Sequence, residues 1–238
     1  MLLTVLTFSP IRVILGKRRC KAMSKAILFD LDGTLTDSGE GIINSAEYAL
    51  KHFGLPIPDR ETMRVFVGPP LRDIFAHFGV PTDRLDEAVA VYRERYIPIG
   101  IYENKPYPGV DTLLSRLRQQ GHRLFIATSK PEWMAVDVLT RFGLSSYFEI
   151  IAGATMDGSR DTKEDVISYL LNQVGDLSEA VMVGDTAFDV IGAAAHHIPC
   201  IGVSWGYGKV SDMTEAGAAA IAHTTEELYK LLNSKKAC

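Results

Sequence analysis

The chain has 238 residues, a formal charge of −4 at pH 7, and 47% hydrophobic against 23% charged residues. That balance excludes a mainly disordered, collagen-like or disulfide-framework protein, and a mildly acidic chain lacks the basic excess of a nucleic-acid backbone binder. The three cysteines, Cys20, Cys200 and Cys238, form no CxxC or zinc spacing; so sparse and odd a count points to a reducing, cytoplasmic setting.

Residues 1–22 begin with the apolar run MLLTVLTFSPIRVILG and continue into basic GKRRCK. A secretory signal has its positive charge before the apolar stretch, not after it. The run is interrupted by Pro10 and Arg12, and it falls short of the roughly 18 apolar residues that suggest a membrane span. The pattern favours an extension outside the fold over a membrane-associating segment, and no membrane partner is expected.

After Met23 the pattern becomes regular. Ala26-Ile27-Leu28-Phe29 is a short apolar run that reads as a buried strand. Residues 40–53 carry Ile42, Ile43, Ala46, Ala49, Leu50 and Phe53 at helical spacing, and Gly54 stops them. Helices are predicted at 59–66, 70–78 and 82–96, divided by Gly68-Pro69, Gly79 and Pro81. No strand signal occurs between about 37 and 102, which marks an all-helical insert. Beyond Pro106-Tyr107-Pro108-Gly109 the chain alternates: helix 110–120, strand 124–127, helix 131–142, strand 148–152, helix 163–174, strand 181–183, helix 187–195, strand 200–204 and helix 224–233. Alternation of this kind predicts a parallel sheet covered on both faces.

Ligands of open α/β sheets bind beyond the carboxyl ends of the strands. There the sequence places Asp30 and Asp32, then Thr128 and Ser129, then Asp185 and Asp189, with Lys163 opening a helix. Two carboxylates two residues apart in a sheltered cleft repel and are each desolvated. A hard divalent cation relieves both costs, and Mg²⁺ suits one or two carboxylates together with phosphate and water. A carboxylate can also be a nucleophile, and its neighbour a general acid and base. Gly33 would let backbone N–H groups approach a phosphate. Thr128, Ser129 and Lys163 would face the remaining phosphoryl oxygens. Taken singly, each feature has a plainer explanation: Asp32-Gly33 a turn, Thr128-Ser129 a helix cap, Lys163 a solvated helix residue. Their order and their strand-end placement together favour a site.

Asp30-Leu31-Asp32-Gly33-Thr34 resembles the first motif of the haloacid dehalogenase superfamily of phosphohydrolases. Thr128 is similar to the Ser/Thr of its second motif and Lys163 to the lysine of its third. Gly184-Asp185-Thr186-Ala187-Phe188-Asp189 is similar to its fourth. The resemblance spans roughly residues 24–238. It implies a Rossmann-like parallel sheet core, residues 24–36 plus 105–238, with an inserted helical cap at 37–104. It implies Asp30 as nucleophile and Asp32 as acid/base. It also implies Mg²⁺ held by Asp30, the backbone carbonyl of Asp32 and Asp185, with Asp189 orienting metal-bound water or Lys163.

Finer resemblance runs to the phosphoglycolate-phosphatase-like group, and more closely to a bacterial 5′-nucleotidase branch. It is carried by Val67-Gly68-Pro69-Pro70-Leu71, Tyr92-Arg93-Glu94-Arg95-Tyr96, Tyr102-Glu103-Asn104 and Ala127-Thr128-Ser129-Lys130-Pro131. The implied reaction is hydrolysis of a small phosphate ester, a nucleoside 5′-monophosphate first and 2-phosphoglycolate next. No nucleic-acid polymer is expected as partner, and the oligomeric state is left open. The core motifs contact only phosphate and metal, so the cap must choose the leaving group, with Gly68 in its loop and Arg72 in the following helix as candidates.

Four rival readings compete with this one. Gly202-Val203-Ser204-Trp205-Gly206 with Asp212 and His223 formally matches a serine hydrolase, but a loop signal follows where the nucleophile elbow needs a helix. A receiver-type phospho-aspartate module would have no use for the long insert. A dehalogenase would leave Asp185 and Asp189 poorly explained. A phosphomutase shares the core chemistry and is the nearest rival. His196-His197 point about 100° apart on a helix and do not converge on one ion.

Overall fold

The computed structural model describes residues 24–175, 177 and 179–234. Residues 1–22, Cys20 and Cys238, which figure in the sequence expectations, lie outside the described residues. The first strand, β1 (Ala26–Phe29), is followed by a two-residue strand, β2 (Thr36–Asp37). Four helices come next: α1 (Gly39–His52), α2 (Arg60–Met63), α3 (Leu71–His77) and α4 (Leu85–Tyr96). The chain returns through β3 (Lys105–Pro106) and alternates through α5 (Val110–Gln119), β4 (Arg123–Pro131), α6 (Glu132–Arg141) and β5 (Ile150–Ala154). Then follow α7 (Lys163–Val174), β6 (Ala180–Gly184), α8 (Ala187–Ala194), β7 (Cys200–Val203), α9 (Val210–Glu215), β8 (Ala220–Ala222) and α10 (Thr225–Asn233).

Six strands form a parallel sheet in the order β5-β4-β1-β6-β7-β8. The chain builds outward from β1 to one edge, then crosses back and builds to the other. The strand order therefore reverses between β1 and β6, the place where open sheets bind ligands. Period-two alternation sorts the side chains. Ile27, Phe29, Leu124, Ile126, Val181 and Val183 belong to the apolar layer shared with α1, α5, α6 and α10. Ala26, Leu28, Phe125, Ala127 and Met182 face the layer under α7, α8 and α9. Ile27, Leu28 and Phe29 are fully buried, each contributing about 1.5–3 kcal/mol by leaving water.

The helical insert has its own aromatic interior. Phe66 stacks on Phe78 at 5.0 Å between ring centroids and meets Phe75 edge-on at 5.3 Å, while Tyr92 stacks on Tyr96 at 5.1 Å. Its two ends meet in an antiparallel pair, Thr36 opposite Pro106 and Asp37 opposite Lys105.

The sequence reading differs from the structure in four places. The strand expected at 124–127 continues to Pro131, past an irregularity after Thr128. The strand expected at 148–152 lies at Ile150–Ala154. α9 and β8 carried no legible signal, being only a turn and a half and three residues long. The β2–β3 pair is too short for any periodicity. Among the described residues, no helix is long and apolar enough to cross a membrane.

Candidate active site

Asp30 follows β1 directly and continues its ladder, its N–H donating to Val183 O at 2.9 Å. The chain then curls on itself. The N–H groups of Thr34, Leu35 and Thr36 all donate to Leu31 O, and that of Gly33 donates to Thr36 O at 2.8 Å. This turn brings both Asp30 and Asp32 to the wall of one cavity of about 510 Å³. Gly33 sits at φ +86, and a Cβ there would lie 2.3 Å from Asp185 Oδ2. The sequence reading has Gly33 let neighbouring backbone N–H groups approach a phosphate. Its N–H is occupied within the turn, and the glycine is required by the left-handed backbone and by the carboxylate packed against it.

Across the strand-order reversal, β6 ends at Gly184 and Asp185 follows. Asp185 Oδ1 accepts from Thr34 Oγ1 at 3.1 Å and Oδ2 from the Tyr207 N–H at 2.8 Å. Thr186 caps α8, and Asp189 completes the capping box, Oδ2 accepting from Thr186 N at 3.0 Å and Oγ1 at 2.8 Å. Asp189 Oδ1 is ion-paired with Lys163 at 2.8 Å. Lys163, the first residue of α7, also donates to Asp30 Oδ1 at 2.7 Å and to Ala127 O at 2.9 Å. Thr128 is buried and Ser129 half-buried, and both line the cavity beside Asp30 and Asp32.

The site's charges are strongly perturbed. Burial raises the Asp30 carboxyl to about 6, against the pull of Lys163 and with help from Asp189. Burial, then Asp189 and Asp30, raise Asp185 to about 8. Burial works to lower Lys163, but Asp189 and Asp30 outweigh it and hold the ammonium well above its ordinary range. Carboxylate oxygens of Asp30, Asp185 and Asp189 all lie within 4.8 Å of one another. Among the described residues, Lys163 pairs with Asp30 and Asp189 while Asp185 has no ion-pair partner. Three buried carboxylates with one cation leave excess negative charge, and oxygen donors of this kind fit a hard divalent ion. Lys163 engages one oxygen of Asp30 and one of Asp189, so Asp185 is the carboxylate of the three whose charge no cation among the described residues offsets.

The structure also gives places at the site to residues for which the sequence assigned no role. Lys130 Nζ donates to Asp32 Oδ2 at 2.8 Å and to the hydroxyl of Tyr96 in the insert. The Tyr207 N–H on Asp185 comes from the loop after β7. Lys130 lies in one of the stretches that carry the finer resemblance, but nothing local gives it a role, and Tyr207 carries no chain-local signal at all. Phe188 and Met156, 49% and 43% exposed, line the cavity and give it an apolar rim. Of the proposed selectors, Gly68 lines the cavity at φ +112, and a Cβ there would lie 3.2 Å from Thr186 Cγ2, so the insert's loop rests on the cap of α8. Arg72 lines the cavity too, with its guanidinium ion-paired to Asp86 of α4.

The rival constellation is partly assembled. Ser204 Oγ and His223 Nδ1 are 2.8 Å apart. Asp212 accepts from Ser211 rather than from the histidine, and a loop follows Ser204 in place of an elbow helix. His196 closes the end of α8, its Nε2 contacting Glu164 O at 3.0 Å. Trp205 donates to Thr34 O at 3.0 Å, fastening the loop after β7 to the turn after β1.

Comparison with known proteins agrees with this geometry. The tyrosine-protein kinase PtkA of Mycobacterium tuberculosis is 42% identical over 209 residues, 87% of this chain and 72% of that protein. A 5′-nucleotidase of Pseudomonas aeruginosa is 41% identical over 189 residues, 79% of this chain and 86% of that one. The crystal structure of a predicted phosphatase from Clostridium acetobutylicum superposes with a TM-score of 0.85 at 40% identity, covering 88% of this chain and 98% of that one. The description haloacid dehalogenase-like hydrolase matches residues 27–203, a span that holds Asp30, Thr128, Lys163 and Asp185, and the chain belongs to that family.

Proposed function

We propose that this chain, a phosphoric monoester hydrolase, removes phosphate from small metabolite esters with Mg²⁺ as its metal, nucleoside 5′-monophosphates first among them. The observation that carries this reading is the convergence of Asp30, Asp32, Lys163 and Asp189 on one cavity, with a carboxylate oxygen of Asp185 within 4.8 Å of those of Asp30 and Asp189. Asp30, Asp185 and the backbone carbonyl of Asp32 would hold the metal, which supplies neutralisation of phosphate and carboxylate charge when bound.

The chain's own groups do the rest. A carboxylate oxygen of Asp30 attacks phosphorus, the ester P–O bond breaks, and the leaving oxygen takes a proton from Asp32. Water then attacks the aspartyl-phosphate, the bond from Asp30 to phosphorus breaks, and Asp32 takes the proton of the water. Lys163 faces the phosphoryl oxygens as a fixed cation already ordered by Asp189, while Thr128 and Ser129 offer hydroxyls. The apolar rim of Phe188 and Met156 suits a leaving group with a flat, weakly polar face, as a nucleobase has. 2-Phosphoglycolate is the alternative substrate and would leave that rim unused. The sparse cysteines support a cytoplasmic setting.

The mycobacterial relative favours a second reading, in which a phenolic hydroxyl replaces water as acceptor of the phosphoryl group and a nucleoside triphosphate supplies it. The two readings share the aspartyl-phosphate and part at the second step. One experiment separates them: phosphate release from a panel of esters, with and without Mg²⁺, beside labelled ATP with a tyrosine peptide. Mg²⁺-dependent release that is greatest from nucleoside 5′-monophosphates is expected. No release from any ester, with label passing to the peptide, would overturn the proposal in favour of the second reading.

A further inference from the structure

Asp32 has two carboxylate oxygens in different circumstances. Oδ2 accepts from Lys130 Nζ at 2.8 Å. Oδ1 is buried without a hydrogen-bond partner among the described residues, and Asp32 lines the cavity. The lysine is itself enclosed, its side chain 4% exposed. Its second acceptor is the hydroxyl of Tyr96, on the last turn of α4 in the insert, whose ring centroid is 4.9 Å from Nζ. Tyr96 is held in turn by its stack on Tyr92.

Backbone irregularity places the lysine there. Pairing between β4 and β5 jumps from Thr128–Gly153 to Pro131–Ala154, leaving Ser129 and Lys130 without partners in the ladder. The bulge closes tightly on β5, since a Cβ at Gly153 would lie 2.5 Å from Lys130 O and 2.6 Å from Glu132 Cα. Bulges of this sort re-aim a side chain next to a site.

We infer that Lys130 is a positioning residue for the acid/base step: it pins Asp32 Oδ2, leaving Oδ1 as the oxygen that moves the proton, and Tyr96 of the insert fixes where Lys130 points. This rests on the phosphatase reading above. It makes a residue of the insert a brace for the chemistry, beyond any part the insert has in choosing the leaving group. A lysine that merely tied insert to core would affect every substrate alike. One that positions a general acid matters in proportion to how much the leaving oxygen needs a proton.

The test compares Lys130→Met and Tyr96→Phe with the full-length wild type on an alkyl phosphate and on 2,4-dinitrophenyl phosphate, whose leaving group departs unprotonated. For Lys130→Met, kcat on the alkyl ester should fall about 10²-fold, the lower end of what a general acid supplies, with KM little changed. The pre-steady-state burst of dinitrophenolate should fall far less, while the turnover after it slows because water attack has lost its base. Tyr96→Phe should show the same selectivity at about 3–10-fold, the worth of one hydrogen bond. If Lys130→Met does not fold, Tyr96→Phe decides alone by the same criterion. Equal losses on both esters, or no loss on either, overturn the inference while leaving the phosphatase reading intact. A wild type inactive on both esters overturns the two together.

Discussion

Asp30 Oδ1 accepts a 2.7 Å hydrogen bond from Lys163, a residue 133 positions further along the chain. The pair is buried, and the same ammonium is shared with Asp189. Two carboxylates thus depend on a single cation for their charged forms. Lys163→Met should destabilise the fold by about 3–5 kcal/mol, the usual result of removing one partner of a buried pair. Urea denaturation of the two proteins, with equal slopes confirming comparable unfolded states, measures it.

Asp30→Asn should keep the fold and abolish turnover, since an amide is a poor nucleophile. Asp32→Asn should cost about 10²–10⁴-fold in rate, the range of general acid–base catalysis. The two can be told apart by trapping. Asp32→Asn should still form an acid-stable, base-labile phosphoenzyme from an activated aryl phosphate, and Asp30→Asn should not. Phosphate release by Asp30→Asn at near wild-type rate would remove it from the nucleophile's role.

Removal of divalent ions should eliminate activity and leave three crowded carboxylates to be stabilised by Lys163 alone. Mg²⁺ should therefore raise the thermal midpoint, by an amount equivalent to about 2.7 kcal/mol at a hundredfold excess over its dissociation constant. Asp185→Asn, which removes a carboxylate without a cation partner among the described residues, should abolish most of that Mg²⁺-dependent gain. Melting curves in chelator and in Mg²⁺ provide the readout. An identical midpoint in both would show that the cluster takes no ion.

A pH effect is expected away from the site. Hydrogen bonds from Arg95 to both oxygens of Glu103, each 2.9 Å, hold the Glu103 carboxyl below its usual value of 4.5. With the folded pKa below the unfolded one, the pair's contribution is present above pH 4.5 and is lost as pH falls below it. The difference in melting temperature between wild type and Glu103→Gln should therefore be steady near neutrality and close on acidification below 4.5. A gap that widened in acid would contradict the assignment.

Arg72→Ala tests selection by the insert. Its pair with Asp86 is solvent-exposed, so stability should change by no more than about 1 kcal/mol. Competition between a nucleoside 5′-monophosphate and a plain aryl phosphate should shift toward the aryl ester. An unchanged ratio would move selection to Phe188 and Met156.

The parts of the site that were legible in sequence are those whose spacing is local. Asp30 and Asp32 flank one residue at a strand end, and Asp185 and Asp189 sit one helical turn apart, so the strand-and-helix rhythm alone places them. Lys163 became legible by its place at the start of a helix. Lys130 was not, because its partner Asp32 is 98 residues away and the bulge that aims it interrupts a strand that sequence reading ended at Ala127. Tyr207 was invisible for another reason: it reaches Asp185 through its backbone N–H, which every residue but proline carries. The overall sheet was readable from alternation, but the central place of β1 was not, since strand order is set by pairings between distant segments.

The antiparallel contact of Asp37 with Lys105 has a consequence for how the chain tolerates change. Those two residues are cross-strand neighbours, a separation of only about 5 Å between Cα atoms. Whatever chain is threaded between them leaves and rejoins the body at almost one point. Lengthening, trimming or exchanging that segment would leave the spacing of Asp30, Thr128, Lys163 and Asp185 unaltered, because all four are anchored outside it. The doorway thus separates two kinds of change: the segment beyond it can be altered toward new leaving groups while the phosphate-handling apparatus keeps its geometry. The hydroxyl of Tyr96 on Lys130, like the Gly68 loop on Thr186, ties that segment back to the phosphate-handling body.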